Sequence, residues 1–115
     1  MAKKLNHTFS IILVVLSIIH IILTPMFYKI FNLGALWFAG SGLSFLFLGS
    51  INIIGPETTG MPFKLLRSIC NALALVFCAL IVSILTQPQA FICLAVVAML
   101  LGLSLLDLKR SRRLK

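Results

Sequence analysis

The stretch Ser68 to Leu106, SICNALALVFCALIVSILTQPQAFICLAVVAMLLGLSLL, runs for 39 residues between Arg67 and Asp107 without one charged side chain. As a single helix it would be about 58 Å long at 1.5 Å per residue, nearly twice the ~30 Å hydrocarbon thickness of a bilayer. Thr86-Gln87-Pro88-Gln89 interrupts it, and a proline begins a helix far more readily than it continues one. The stretch therefore reads as two apolar helices, about 65–86 and 88–107, joined by a tight turn.

Upstream, Gly55-Pro56-Glu57-Thr58-Thr59-Gly60-Met61-Pro62 is the long polar loop, broken by two glycines and two prolines. Pro62 suits the first turn of the helix that follows, where a missing N–H is no loss. Two more uncharged runs precede it, 24 residues between Lys4 and Lys29 and 27 between Lys29 and Glu57. They predict spans at about 9–28 and 34–53, the second capped by Asn32. Pro25 falls near the end of the first, where few later hydrogen bonds depend on it. Lys3 and Lys4 ahead of an apolar run resemble the start of a signal peptide. The run is longer than an ordinary signal core and no small-x-small cleavage site follows, so a retained helix is expected.

Composition agrees. Of 115 residues, 61% are hydrophobic and 10% charged, against roughly 45–50% and about 25% in soluble domains, and the mean hydropathy is +1.17. This excludes a soluble enzyme, a disordered tail, a disulfide scaffold and a nucleic-acid-binding domain. The predicted fold is all-α, a polytopic transmembrane four-helix bundle forming a single membrane domain. With four spans, both termini and the middle loop share a side, and that side carries nine of the ten Lys/Arg. The bias predicts both termini in the cytoplasm, with Lys29 alone opposite. Asn6-His7-Thr8 matches a glycosylation sequon, which on this topology faces the cytosol and stays unmodified.

The tail supplies Lys109, Arg110, Arg112, Arg113 and Lys115, five positive charges just after the last span. Such a cluster is expected to contact anionic lipid headgroups at about 1 kcal/mol per charge. The +8 net charge is thus a topology signal and not a sign of nucleic acid.

Polar residues inside the spans are costly in hydrocarbon and mark the interior or a site. Ser10, Ser17, His20 and Thr24 fall on one face of the first span, opposite Ile, Leu and Val. His20 is the ionisable group near mid-membrane. It reads as a neutral imidazole bonded to a neighbouring helix or, functionally, as an axial haem ligand, a quinone hydrogen-bond donor, or a proton-relay or substrate contact. In the second span Trp37, Ser41, Ser44 and Asn52 read as one face, which makes His20, Ser17, Thr24, Trp37 and Ser41 the candidate interior site. Gly40 and Ser44 form a small-xxx-small pair suited to helix packing, and Gly42 and Gly49 lie seven apart. Asn52 and Asn71, at similar depth on successive helices, predict an interhelical amide pair. Asp107, at that same level, is placed to meet Arg67 or Lys64. Cys70, Cys78 and Cys93 have no metal-ligand spacing and read as buried thiols; no metal is expected.

In length and span count the chain is similar to the small multidrug resistance transporters. It departs from them in having no Glu in the first span and in a charge bias that fixes one orientation. Ala35-Leu36-Trp37-Phe38-Ala39-Gly40-Ser41-Gly42-Leu43 resembles an ALWF-x-G-x-GL pattern of small bacterial four-helix inner-membrane proteins. That resemblance covers one span and implies a bacterial inner-membrane location. No span holds a carboxylate and no catalytic set has a credible geometry, so an enzyme is not expected. The expectation is a non-catalytic bundle acting as a homo-oligomer or as an accessory subunit of a larger membrane complex. The alternatives are a small carrier or channel around His20, or a haem- or quinone-binding redox component.

Overall fold

The computed structural model describes residues 1–58 and 60–113, so Lys115 of the basic tail lies outside the described residues. Among them there is no strand. The elements are α1 (Ala2–Phe27), α2 (Leu33–Ile54), a short 3₁₀ turn (Gly55–Glu57), α3 (Met61–Ile84) and α4 (Pro88–Arg113). All four α-helices are long and apolar enough to cross a membrane. The helix breaks fall where turn chemistry puts them. Asn32 caps α2 by accepting from the Ala35 N–H at 2.9 Å, Pro62 sits in the first turn of α3, and Pro88 opens α4.

The helices outrun the spans read from hydropathy. α1 starts at Ala2, seven residues before the expected Phe9, and α4 runs on through Arg110 to Arg113. Lys and Arg are good helix formers, so a helix does not stop where hydrophobicity does, and cations in a last turn favour the helix dipole. Pro25 remains inside α1, which ends two residues later, with the Tyr28 N–H closing on Thr24 O at 2.9 Å.

The helices run alternately up and down as two hairpins. α1 packs along α2 and α3 along α4; α1 also meets α4, whereas α2 and α3 touch only sparsely. Leu13, Phe45, Leu48, Cys78, Val96, Val97 and Leu100 form the apolar core. The residues with least exposure include Arg67, Asn52, Asn71, Ser10, Ser17 and Ser104, while Ile22, Leu73 and Ile84 are 61%, 67% and 86% exposed. Polar groups inside and large aliphatics outside invert the arrangement of a water-soluble domain.

Close approach of α1 and α2 occurs at Gly42 and Gly49, which differs from the expected Gly40–Ser44 pair. A Cβ on Gly49 would lie 2.6 Å from Val14 Cγ2 and 3.1 Å from Ser10 O. One on Gly42 would lie 2.8 Å from Ile21 Cγ1 and 3.2 Å from Ser17 O. Around Gly40 there is open space, and Ser44 is exposed. Either pair satisfies the small-residue spacing; only one lies under α1.

Nearer the chain termini the four helices are joined by amides. Asn52 Nδ2 donates to Asn71 Oδ1 at 2.8 Å and Asn71 Nδ2 returns a bond to Asn52 Oδ1 at 2.9 Å, both residues being fully buried. Asn6 Nδ2 donates to Asn52 O at 2.6 Å, and Asn71 Nδ2 also reaches Leu100 O at 3.4 Å. The expected Asn52–Asn71 pair is thus the centre of a network that enlists α1 and α4. Asn6, read from sequence as half of a sequon, is a buried structural residue.

Two stability outcomes follow from this packing. Gly49→Leu should cost about 1–3 kcal/mol by overpacking, whereas Gly40→Leu should leave the melting temperature of the detergent-solubilised protein within error. Asn52→Leu or Asn71→Leu alone should cost about 1–3 kcal/mol, because each orphans a buried amide. The double substitution should cost at least about 1 kcal/mol less than the sum, read by thermal unfolding of all three variants.

Candidate functional site

At the end of the bundle away from the termini, all four helices diverge around a cavity of about 400 Å³. The close approach at Gly42 sets α1 against α2 there, and a Cβ on that glycine would lie 3.4 Å from His20 Cβ. One turn up α2, Phe38 stacks on His20, with ring centroids 3.7 Å apart and planes 18° from parallel. Phe27 and Tyr28 meet the same Phe38 ring at 6.0 and 5.8 Å. Cys78, Gln89 and Cys93 complete the polar part of a mostly aliphatic wall.

The candidate residues separate on inspection. His20 and Ser41 both line the cavity. Ser17 and Thr24 are buried but not on its wall; Ser17 lies at the Gly42 crossing, and their hydroxyls donate to Val14 O at 2.7 Å and His20 O at 3.1 Å. Trp37 is 66% exposed and faces outward. Of the five candidates, the cavity wall brings together His20 and Ser41, and the ring stacked on His20 belongs to Phe38, next to Trp37 in sequence. The two neighbours differ by 100° around the helix. A spacing of seven from Phe38 to Phe45, continuing to Asn52, carried the signal for the inward face.

Ser41 donates to Trp37 O at 2.9 Å, and Gln89 to the Gln87 side chain. The imidazole makes no hydrogen bond to another described residue, and with the Cys78 and Cys93 thiols it is left to meet a ligand. The cavity ends on Phe45 and Cys78, beneath which Leu13, Val97 and Leu100 fill the axis of the bundle. It is a blind pocket.

The opposite end holds a charged cluster. Asp107 of α4 receives Lys64 Nζ at 3.1 Å and Arg67 Nη2 at 2.8 Å, and Lys64 Nζ also donates to Ser111 Oγ at 2.7 Å. Asp107 thus takes both of the cations expected for it. Lys64 and Arg67 are 9% and 1% exposed, so two of the basic residues described at this end are internal. Lys109, Arg110, Arg112 and Arg113 are exposed on the last turns of α4, and Lys3 reaches Glu57 at 2.6 Å in an exposed pair of small energetic weight. Among the described residues no group of His, Cys, Asp and Glu is placed to hold a metal.

Comparison of the chain with protein families, curated proteins and solved structures finds no match in any of the three.

Proposed function

We propose that the chain is a multi-pass membrane protein, with both termini and the 54–63 loop in the cytoplasm, that acts without catalysis as a binding bundle. The inverted distribution of polar and aliphatic residues supports insertion, and the excess of Lys and Arg at one end supports the orientation. Resemblance of the Ala35–Leu43 segment to small bacterial proteins favours the bacterial inner membrane.

The observation that carries the binding function is the blind cavity of about 400 Å³ walled by all four helices, with one free imidazole against a stacked phenyl ring. Sites for small molecules are usually of roughly 300–1,000 Å³, mainly apolar, with few polar groups that fix orientation. The occupant that fits is a small, largely apolar molecule with a flat polar head, of which a quinone is the natural example; its carbonyl accepts from His20. A carrier needs a path to the other end, and the filled axis below Phe45 speaks against one. Haem at this site would have a single histidine ligand, without a second imidazole across the cavity.

Trp37, the sole tryptophan, lies next to Phe38 and reports on occupancy. In lipid nanodiscs a short-chain benzoquinone should quench it saturably. His20→Ala should weaken binding about tenfold, the effect of one hydrogen bond of about 1.4 kcal/mol, and Ser41→Phe, which fills the cavity, should abolish saturation. Equal, non-saturating quenching in all three proteins would refute the reading, and a Soret band lost in His20→Ala would replace the quinone with haem.

The outward face of α2 favours a second reading. Gly40 has open space, and Ser44, Trp37 and Phe47 are exposed beside it. A homo-oligomer or accessory role through this face requires that Gly40→Leu, tolerated by the fold, break a complex recovered in mild detergent. A wild-type protein that is monomeric and partnerless would dismiss that role.

A further inference from the structure

At the end that carries the termini, a cavity of about 190 Å³ opens between the start of α1, the 3₁₀ turn and the end of α4. Its lining includes Lys3, Asn6, Pro56, Arg67, Asp107 and Arg110, three cations to one carboxylate, with Lys3 also held by Glu57 outside the cavity in an exposed pair that a ligand can displace. Arg67 is 1% exposed, and only its Nη2 is engaged, by Asp107; Nη1 and Nε are buried and have no partner among the described residues. The guanidinium lies under Gly55, where any Cβ would overlap it. Asn6 Oδ1 is also buried without a partner. A buried guanidinium with unmet donors is expensive, and Asp107 is already shared with Lys64. The unmet demands are specific: anionic oxygen for Arg67, and a hydrogen-bond donor for Asn6.

We propose that this cavity binds a phosphate group, with its anionic oxygens on Arg67, Lys3 and Arg110 and a hydroxyl donating to Asn6 Oδ1. Arginine is the preferred side chain for such an oxyanion because its planar fork matches two oxygens. Two sources present this chemistry, the headgroup of a phospholipid such as phosphatidylglycerol and free phosphate. The lipid source rests on the membrane reading above, which puts the cavity at headgroup depth. Lys109 and Arg113 carry the same charge on the same helix and do not line the cavity, so a built site separates from a diffuse basic surface.

The test uses the full chain in neutral detergent micelles, titrated with phosphatidylglycerol, phosphatidylcholine or inorganic phosphate, with thermal shift and bound lipid by native mass spectrometry as readouts. Phosphatidylglycerol should bind at about one per chain and raise the melting temperature, and phosphatidylcholine, which has the phosphodiester but a choline cation in place of the headgroup hydroxyls, should bind more weakly and stabilise less. Lys3→Gln and Arg110→Gln should each weaken binding about fivefold and Lys109→Gln should not, since all three residues are exposed and none is needed for folding. Arg67→Gln should lose binding even if it folds poorly. Stabilisation by phosphate but not by the lipid supports the site with a soluble ligand. Equal losses in Arg110→Gln and Lys109→Gln, or no binding of either compound, would overturn it. A chain extracted from cell membranes by alkali would defeat the membrane reading while leaving the phosphate titration to judge the cavity.

Discussion

Two asparagines bonded to each other decide how this bundle is put together. Asn52 and Asn71 face one another with both amide bonds made, and no water reaches either side chain. In such surroundings an amide has few alternatives, and leaving one unpaired costs more than making the bond gains. Because α2 and α3 otherwise touch so little, this pair sets their relative depth and rotation. Through Asn6 and the Leu100 carbonyl the same pair holds α1 and α4. A slip of one residue on any of the four helices would break at least one of these bonds.

The network also divides the molecule in two. On one side lie the aliphatic core and the blind cavity at His20, where polar groups are few and mostly bonded to their own helix. On the other lie Arg67, Lys64 and Asp107, where charges outnumber partners. A ligand at the first end meets dispersion and a single imidazole, whereas one at the second meets fixed positive charge. The two ends therefore present different chemistry, and the packed layer of Leu13, Val97, Leu100 and the asparagines lies between them.

Much of this was legible in the residues. Uncharged runs and breakers located four helices, Asn32, Pro62 and Pro88 their starts, and equal depth paired Asn52 with Asn71 and Asp107 with its cations. Rotation of α2 was not legible. Its Trp, Phe and Leu residues lie on every side, so Trp37–Ser41–Ser44 and Phe38–Gly42–Phe45 are equally good faces by spacing, and contact with α1 chooses the second. Arg67 counted with the surface charges because spacing cannot show that the 3₁₀ turn closes over it. Asn6 was masked by the sequon around it, since a helix that starts in polar residues gives no hydropathic sign.

The division into two hairpins has a consequence for how the chain is made. α1 and α2 meet through glycines and aliphatic side chains and need nothing from the second half to dock. Within the first hairpin Asn52 Nδ2 donates to Leu48 O, but Asn52 Oδ1 has no partner until Asn71 of the second hairpin meets it. Asn71 stands in the matching position, reaching Leu100 O inside its own hairpin while its Oδ1 waits for Asn52 Nδ2. The amide pair therefore closes when the two hairpins meet, and its closure records that both are in register.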